Sequence, residues 1–158
     1  MPVSQFDPAR IEAYLHAHIP ISRAMGIAVS EASPVMVALR APLEPNVNHR
    51  STGFGGSAAS VAILACWTLA HLRVTATGRP TRVVIQRGET DYLLPIRGAF
   101  SATCRLDDEA TWERFERTLL RRGRARIELS ATVTSEDVIV AEFRASYVAI
   151  GGAAEGEG

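Results

Sequence analysis

Chemistry-bearing residues cluster in one stretch, Leu43 to Ser57, which reads LEPNVNHRSTGFGGS. Asn48 can hold a water or a carbonyl oxygen, and His49 can take a proton near neutral pH. Gly53, Gly55 and Gly56 let a bound molecule approach the backbone closely. Gly55-Gly56-Ser57 leads directly into an apolar run. A helix that starts there presents unpaired N–H groups and the positive end of its dipole. The backbone amides of Gly55, Gly56 and Ser57 are therefore candidates to stabilise a developing oxyanion. The alternative is that the glycines only make a tight turn, with Ser57 as helix cap, and that Asn48 and His49 only brace their own loop. Further along, Glu89 and Asp91 share one face of a strand-like segment and can supply a carboxylate base. Their alternative is an ion pair with Arg82 or Arg87. Ser57 in Gly-Gly-Ser-Ala-Ala is near a nucleophile elbow, but an elbow follows a strand and this serine follows an irregular loop.

The remaining elements must position that loop. Asp7 to His18 reads as a helix, with Asp7 at the cap and Pro8 at the first position. Ile11, Tyr14 and Leu15 fall on one face. His16 and His18 point apart on a helix, cannot share a metal and belong to a solvated face. Met25 to Ser30 and Val35 to Ala41 are strand-like, with Ser33-Pro34 as the turn. No regular element fits Leu43 to Gly56. Ser57 to Val74 is apolar almost all round and predicts a helix wrapped by the rest of the chain. It falls slightly short of the roughly 20 residues a bilayer needs and contains Ser60, Thr68 and His71, so no membrane span is expected. Arg82 to Leu93 and Gly98 to Leu106 predict two strands, and Thr111 to Leu120 an amphipathic helix with a threonine cap. Alternation then predicts two half-buried antiparallel strands. Ala125, Ile127, Leu129, Ala131 and Val133 face inward in one. Ile139, Ala141, Phe143, Ala145, Tyr147 and Ala149 face inward in the other.

Residues 1–150 are expected to form a single domain, and 151–158 a disordered tail. The chain of 158 residues is 47% hydrophobic and 22% charged, with a net charge of +0. Nothing there points to nucleic acid. All 17 basic residues are arginine, which excludes Schiff-base and pyridoxal-phosphate chemistry. Cys66 and Cys104 lack metal-ligand spacing and read as buried small side chains in a reducing compartment. The opening MPVSQFDPAR lacks the features of a signal peptide, and a cytoplasmic location is expected. Six arginines between Arg114 and Arg126 could hold a nucleotide phosphate, against the plainer reading of a solvated helix face with cations at its C-terminal end. The whole order satisfies an α+β architecture, one antiparallel sheet wrapped around one helix.

That order, with Asn46-Val47-Asn48-His49 before Gly53-Phe54-Gly55-Gly56-Ser57 and with Asp91-Tyr92-Leu93-Leu94-Pro95-Ile96-Arg97-Gly98 later, resembles the hot-dog-fold thioesterases related to the C-terminal domain of YiiD. The resemblance covers about residues 9 to 150. It implies hydrolysis of an acyl-CoA or acyl-carrier-protein thioester in lipid metabolism, with CoA only as part of the substrate and no cofactor or metal. It also implies a homodimer or homotetramer with the site at the subunit interface, where Asp91 reaches the partner's loop. Phe54, Ser57, Tyr92 and Gly53 would contact substrate. Asn48, His49, Asp91, Gly55 and Gly56 would carry catalysis. One departure stands out: better-known hot-dog thioesterases carry His-Gly-Gly at the turn and a helix carboxylate about nine residues on. Phe54 and a position near Ile63 stand there instead, and Ser57 to Val74 holds no Asp or Glu. A non-catalytic acyl-thioester binding domain and a hot-dog dehydratase or hydratase using His49 and Asp91 are the competing expectations.

Overall fold

A computed structural model describes residues 4–151. The order is α1 (Pro8–His18), α2 (Pro20–Ala24), β1 (Ala28–Ser33), β2 (Met36–Ala41), a 3-10 turn (Glu44–Asn46), α3 (Gly55–Thr75), β3 (Thr81–Tyr92), β4 (Phe100–Arg105), α4 (Glu109–Arg122), β5 (Arg124–Ser135) and β6 (Val138–Gly151). Six strands make one antiparallel sheet in the order β1-β2-β4-β5-β6-β3, leaving β1 and β3 at the two edges.

α3 lies across this sheet and packs on β2, β3, β4, β5 and β6. Its small residues Ala58, Ala62, Ala65 and Ala70 are fully buried, as are Val61 and Leu69. At 1.5 Å per residue its 21 residues span about 32 Å. It is long and apolar enough to cross a membrane by length and composition, but most of its length forms the core. Tyr147 on β6 donates its hydroxyl to the Ile63 carbonyl (2.7 Å) and fixes helix against sheet. Cys66 and Cys104 are buried in this layer, and burial pushes the Cys66 thiol well above its ordinary range. At Cys66 burial thus disfavours the thiolate form that a nucleophile needs.

Several expectations needed correction. α3 starts two residues earlier than the apolar run suggested, with Phe54 rather than Ser57 at its cap. A 3-10 turn interrupts the loop assigned no regular element, and α2 occupies part of the connection before β1. The first strand sits at Ala28–Ser33, displaced from Met25 to Ser30. α4 is capped by Asp108, not Thr111: the carboxylate accepts from the Ala110 amide (3.0 Å) and the Thr111 hydroxyl (2.7 Å). These two bonds, the Thr111 hydroxyl first, hold the Asp108 carboxyl below its usual range. His16 is not simply solvated, because its Nε2 donates to the Ile27 carbonyl (2.7 Å) and ties α1 to the approach of β1.

The alternation in β5 holds for Ala125 to Val133, with the five inward residues all buried. In β6 it fails at Ile139, which is 46% exposed while Val140 is buried. A register shift explains this: Val133 pairs with Ala141 but Thr134 pairs with Ile139, so Val140 is skipped. Such a bulge re-aims the side chains on one side of it. Gly151 belongs to β6 and donates to the Gly123 carbonyl (2.7 Å). The tail expected to be disordered otherwise falls at 152–158, outside the described residues, as do residues 1–3 of the opening segment.

Candidate active site

The loop before α3 is built from its own hydrogen bonds. Asn46 is buried, and its Nδ2 donates to the carbonyls of Met25 (2.9 Å) and Pro42 (2.8 Å). Its carbonyl accepts from the Phe54 amide (2.7 Å), so this residue anchors both ends of the loop. Asn48 closes the tip: Oδ1 accepts from the amides of Arg50 (2.8 Å) and Thr52 (3.2 Å), and Nδ2 donates to Thr52 Oγ1 (2.9 Å). Both atoms of the amide are engaged, which favours the bracing role over the holding of a water. Gly53 forms an isolated bridge with Val47 and donates to the Ile96 carbonyl (2.7 Å). A Cβ at Gly53 would lie 2.7 Å from the Ile96 Cβ, so only glycine permits this approach.

The helix start faces outward from this anchored loop. The Ser57 amide is spent on the Phe54 carbonyl (3.0 Å), as is that of Ala58 (3.2 Å). Ser57 is thereby removed from the expected set of oxyanion donors. Among the described residues, no backbone hydrogen bond takes the amides of Gly55 or Gly56. Tyr92 donates its hydroxyl to the Gly55 carbonyl (3.0 Å) and brings the end of β3 onto the helix start. The Phe54 ring lies over Gly56, where a Cβ would collide with it.

A cleft of about 370 Å³ opens here, bordered by Asn48, Gly53, Gly55, Tyr92, Leu94 and Val140 among others. Phe54, Tyr92, Leu93 and Leu94 are each more than half exposed at this end of the molecule. The sequence pattern alone does not single out the apolar contributions of Leu93, Leu94 and Val140. The adjacent Leu-Leu before Pro95 is the available signal, because consecutive exposed apolar residues at the end of a strand are unusual.

The other candidates lie elsewhere. His49 is exposed at the loop tip and does not line the cleft. Asp91 pairs with Glu142 and lines the outer sheet face with Glu89 and Arg144, whereas Tyr92 turns to Gly55. Strand alternation sends neighbours to opposite faces, so one chain does not bring Asp91 to its own cleft. Glu89 makes the ion pair named as its alternative, with Arg87 at 3.3 Å. Arg114 and Arg126 line one groove between α4 and β5. No group of three or more His, Cys, Asp or Glu side chains placed to hold a metal occurs among the described residues.

An antiparallel sheet curled around a single apolar helix, with a glycine-rich helix start opening on a cleft, defines a hot-dog-fold protein. The chain belongs to the family described as putative thioesterase of the YiiD C-terminal type, which it matches over residues 8–151. Among solved structures it is similar to a protein of unknown function from Chlorobaculum tepidum, with 28% identity and a TM-score of 0.86, covering 92% of this chain and 94% of that one. It is also similar to a putative thioesterase from Shewanella oneidensis, with 26% identity and a TM-score of 0.79 over 90% and 96% of the two chains. A mutant thioesterase enzyme from Staphylococcus aureus shares the fold alone, at 9% identity and a TM-score of 0.68 over 83% and 98%.

Proposed function

We propose that the protein hydrolyses an acyl-CoA or acyl-carrier-protein thioester at the cleft beside Gly55, as a homodimer or homotetramer in the cytoplasm. The observation that carries this reading is the pair of unpartnered amides of Gly55 and Gly56 at the N-terminus of a long helix, with Gly55 bordering the cleft. A thioester carbonyl seated there develops negative charge when water attacks. Two fixed N–H donors and the helix dipole meet that charge without reorganising. The acyl chain then lies against Tyr92, Leu93 and Leu94, and CoA leaves as the thiol.

The base is the partner's contribution. The residues lining the cleft include no carboxylate and no imidazole. β3 is an edge strand of 12 residues with an unpaired side, and an exposed edge of that length is a surface for pairing. Pairing two copies along β3 carries Asp91 of one subunit toward the loop of the other. The same lack of a cleft carboxylate favours a second reading, in which the domain binds acyl thioesters without cleaving them.

Thiol release from a panel of acyl-CoAs, short to long and aromatic, separates the two. Hydrolysis with Asp91 as base predicts turnover that Asp91→Asn lowers by about 100-fold, or about 2.7 kcal/mol. Tight acyl-CoA binding without any thiol release would establish the second reading. Sedimentation as a monomer at micromolar concentration would remove the interfacial base.

A further inference from the structure

Two carbonyl groups in the first turn of α3 accept a side-chain hydroxyl. Tyr92 donates to the Gly55 carbonyl (3.0 Å), and Ser60 donates to the Gly56 carbonyl (2.7 Å). The bonds are alike in kind but fall on different peptide units. A trans peptide plane joins the C=O of one residue to the N–H of the next, and the two point in opposite directions. The Gly55 carbonyl therefore shares its plane with the Gly56 N–H, and the Gly56 carbonyl with the Ser57 N–H. The Ser57 amide is spent on the Phe54 carbonyl (3.0 Å), whereas among the described residues no backbone hydrogen bond takes the Gly56 amide. Tyr92 thus grips the carbonyl side of a peptide whose N–H side is free. The other free amide, at Gly55, shares its plane with the Phe54 carbonyl, which the Ser57 and Ala58 amides already hold (3.0 and 3.2 Å).

The grip of Tyr92 is close and fixed. The residue ends β3 and pairs with Ala141 of β6. Just beyond it, the Leu93 and Leu94 amides both donate to the Val140 carbonyl (2.9 and 3.2 Å) and pin the strand end to β6. The ring lies against Gly55, where an added Cβ would stand 3.3 Å from Cε1 and 3.5 Å from the hydroxyl oxygen. Tyr92 is 57% exposed, so little of this placement comes from burial in the core.

A donor on a carbonyl draws electron density toward the oxygen and makes the N–H of the same peptide a stronger donor, as in chains of hydrogen bonds that polarise one another. It also holds the peptide plane, and with it the direction of that N–H. An oxyanion donor gains from both, because its effect rests on strength and on an orientation set before the charge develops.

We propose that Tyr92 is a positioning residue for thioester hydrolysis: its hydroxyl orients and polarises the Gly55–Gly56 peptide, and through it the Gly56 N–H that receives the oxyanion. This rests on the reading of Gly55 and Gly56 as the oxyanion donors. The ring borders the cleft, but the hydroxyl acts through the peptide rather than on the substrate.

The test compares Tyr92→Phe with Ser60→Ala in the full chain, by thiol release from the acyl-CoA that the wild type cleaves fastest. Each variant removes one hydroxyl from one carbonyl of the same helical turn. Only in Tyr92→Phe is the N–H of the affected peptide free. Deleting an oxyanion donor outright costs about 100- to 1000-fold in kcat, and loosening one costs less, so Tyr92→Phe is expected to lower kcat by about tenfold. KM should stay unchanged, because the ring is kept and the bond matters only in the transition state. Ser60→Ala should leave kcat unchanged. In the 15N-labelled protein without substrate, the Gly56 amide resonance should move in Tyr92→Phe. Equal falls in kcat from the two variants would reduce the hydroxyl to a brace of the helix start and overturn the proposal. So would an unchanged kcat in Tyr92→Phe, a rise in KM alone, or an unmoved Gly56 resonance. Wild-type protein that releases no thiol from any acyl-CoA would instead overturn the hydrolysis reading, and this one with it.

Discussion

The two ends of α3 are stabilised by different means. At the glycine end the chain is held by backbone and amide hydrogen bonds. Asn46, Asn48 and the Gly53 and Phe54 amides pin a loop whose large side chains, Phe54 above all, stay exposed. At the other end side chains do the holding. Arg73 lies over the buried Trp112 ring at 4.7 Å and pairs with Glu109, and a stack of four rings joins α1 to α3. The difference has a physical reason. A reaction needs polar groups left available and backbone that a ligand can approach, which bulky packing would block. The far end is free to bury aromatic area.

The contrast can be broken most forcefully at the packed end. Trp112 is 2% exposed, and Trp112→Ala should cost about 3–5 kcal/mol in chemical denaturation. If thiol release at temperatures well below the transition is unchanged in that variant, the two ends are energetically separate. At the glycine end Asn46→Ala strips the buried Met25 carbonyl and the half-buried Pro42 carbonyl of their donor and should cost about 1–3 kcal/mol. Here the loss of turnover should exceed what the unfolded fraction explains, since the loop positions Gly55. Equal losses in stability and activity would blur the contrast.

The smallest effect expected is one of pH. His71 has a folded pKa below its ordinary 6.5, so the unfolded chain binds the extra proton first as pH falls. Stability from this group is complete above about 6.5 and is lost as pH drops through the window down to the folded value. Thermal unfolding at about pH 7.5 and about pH 5.5 should show a lower midpoint in acid, and His71→Gln should reduce that difference. An unchanged pH slope in His71→Gln would mean that the ring stack does not sense protonation.

Much of the frame is legible in the residues themselves. The alternation of Ala125 to Val133 identifies its buried face correctly, because a half-buried strand has no other period. The apolar run after Gly56 announces a wrapped helix, because no exposed face can be drawn on it. The loop 43–57 stands out because its composition fits no repeating element. Less legible are features set by partners distant in sequence. Ile139 turns outward because of a bulge opposite Val133. α4 takes its cap from Asp108, outside the amphipathic pattern.

The candidate site divides along the same line. Residue types at Asn48, Gly53, Gly55 and Gly56 determined that a close-approach loop feeds a helix start, since a Cβ at Gly53 would meet the Ile96 Cβ at 2.7 Å. Tertiary structure alone decided which groups remain available. It spent the Ser57 amide on Phe54, saturated Asn48 within its own loop and placed Asp91 on the face opposite Tyr92. Composition and spacing fix local conformation through sterics and periodicity. Whether a donor is spent or free depends on which acceptor the folded chain brings within about 3 Å.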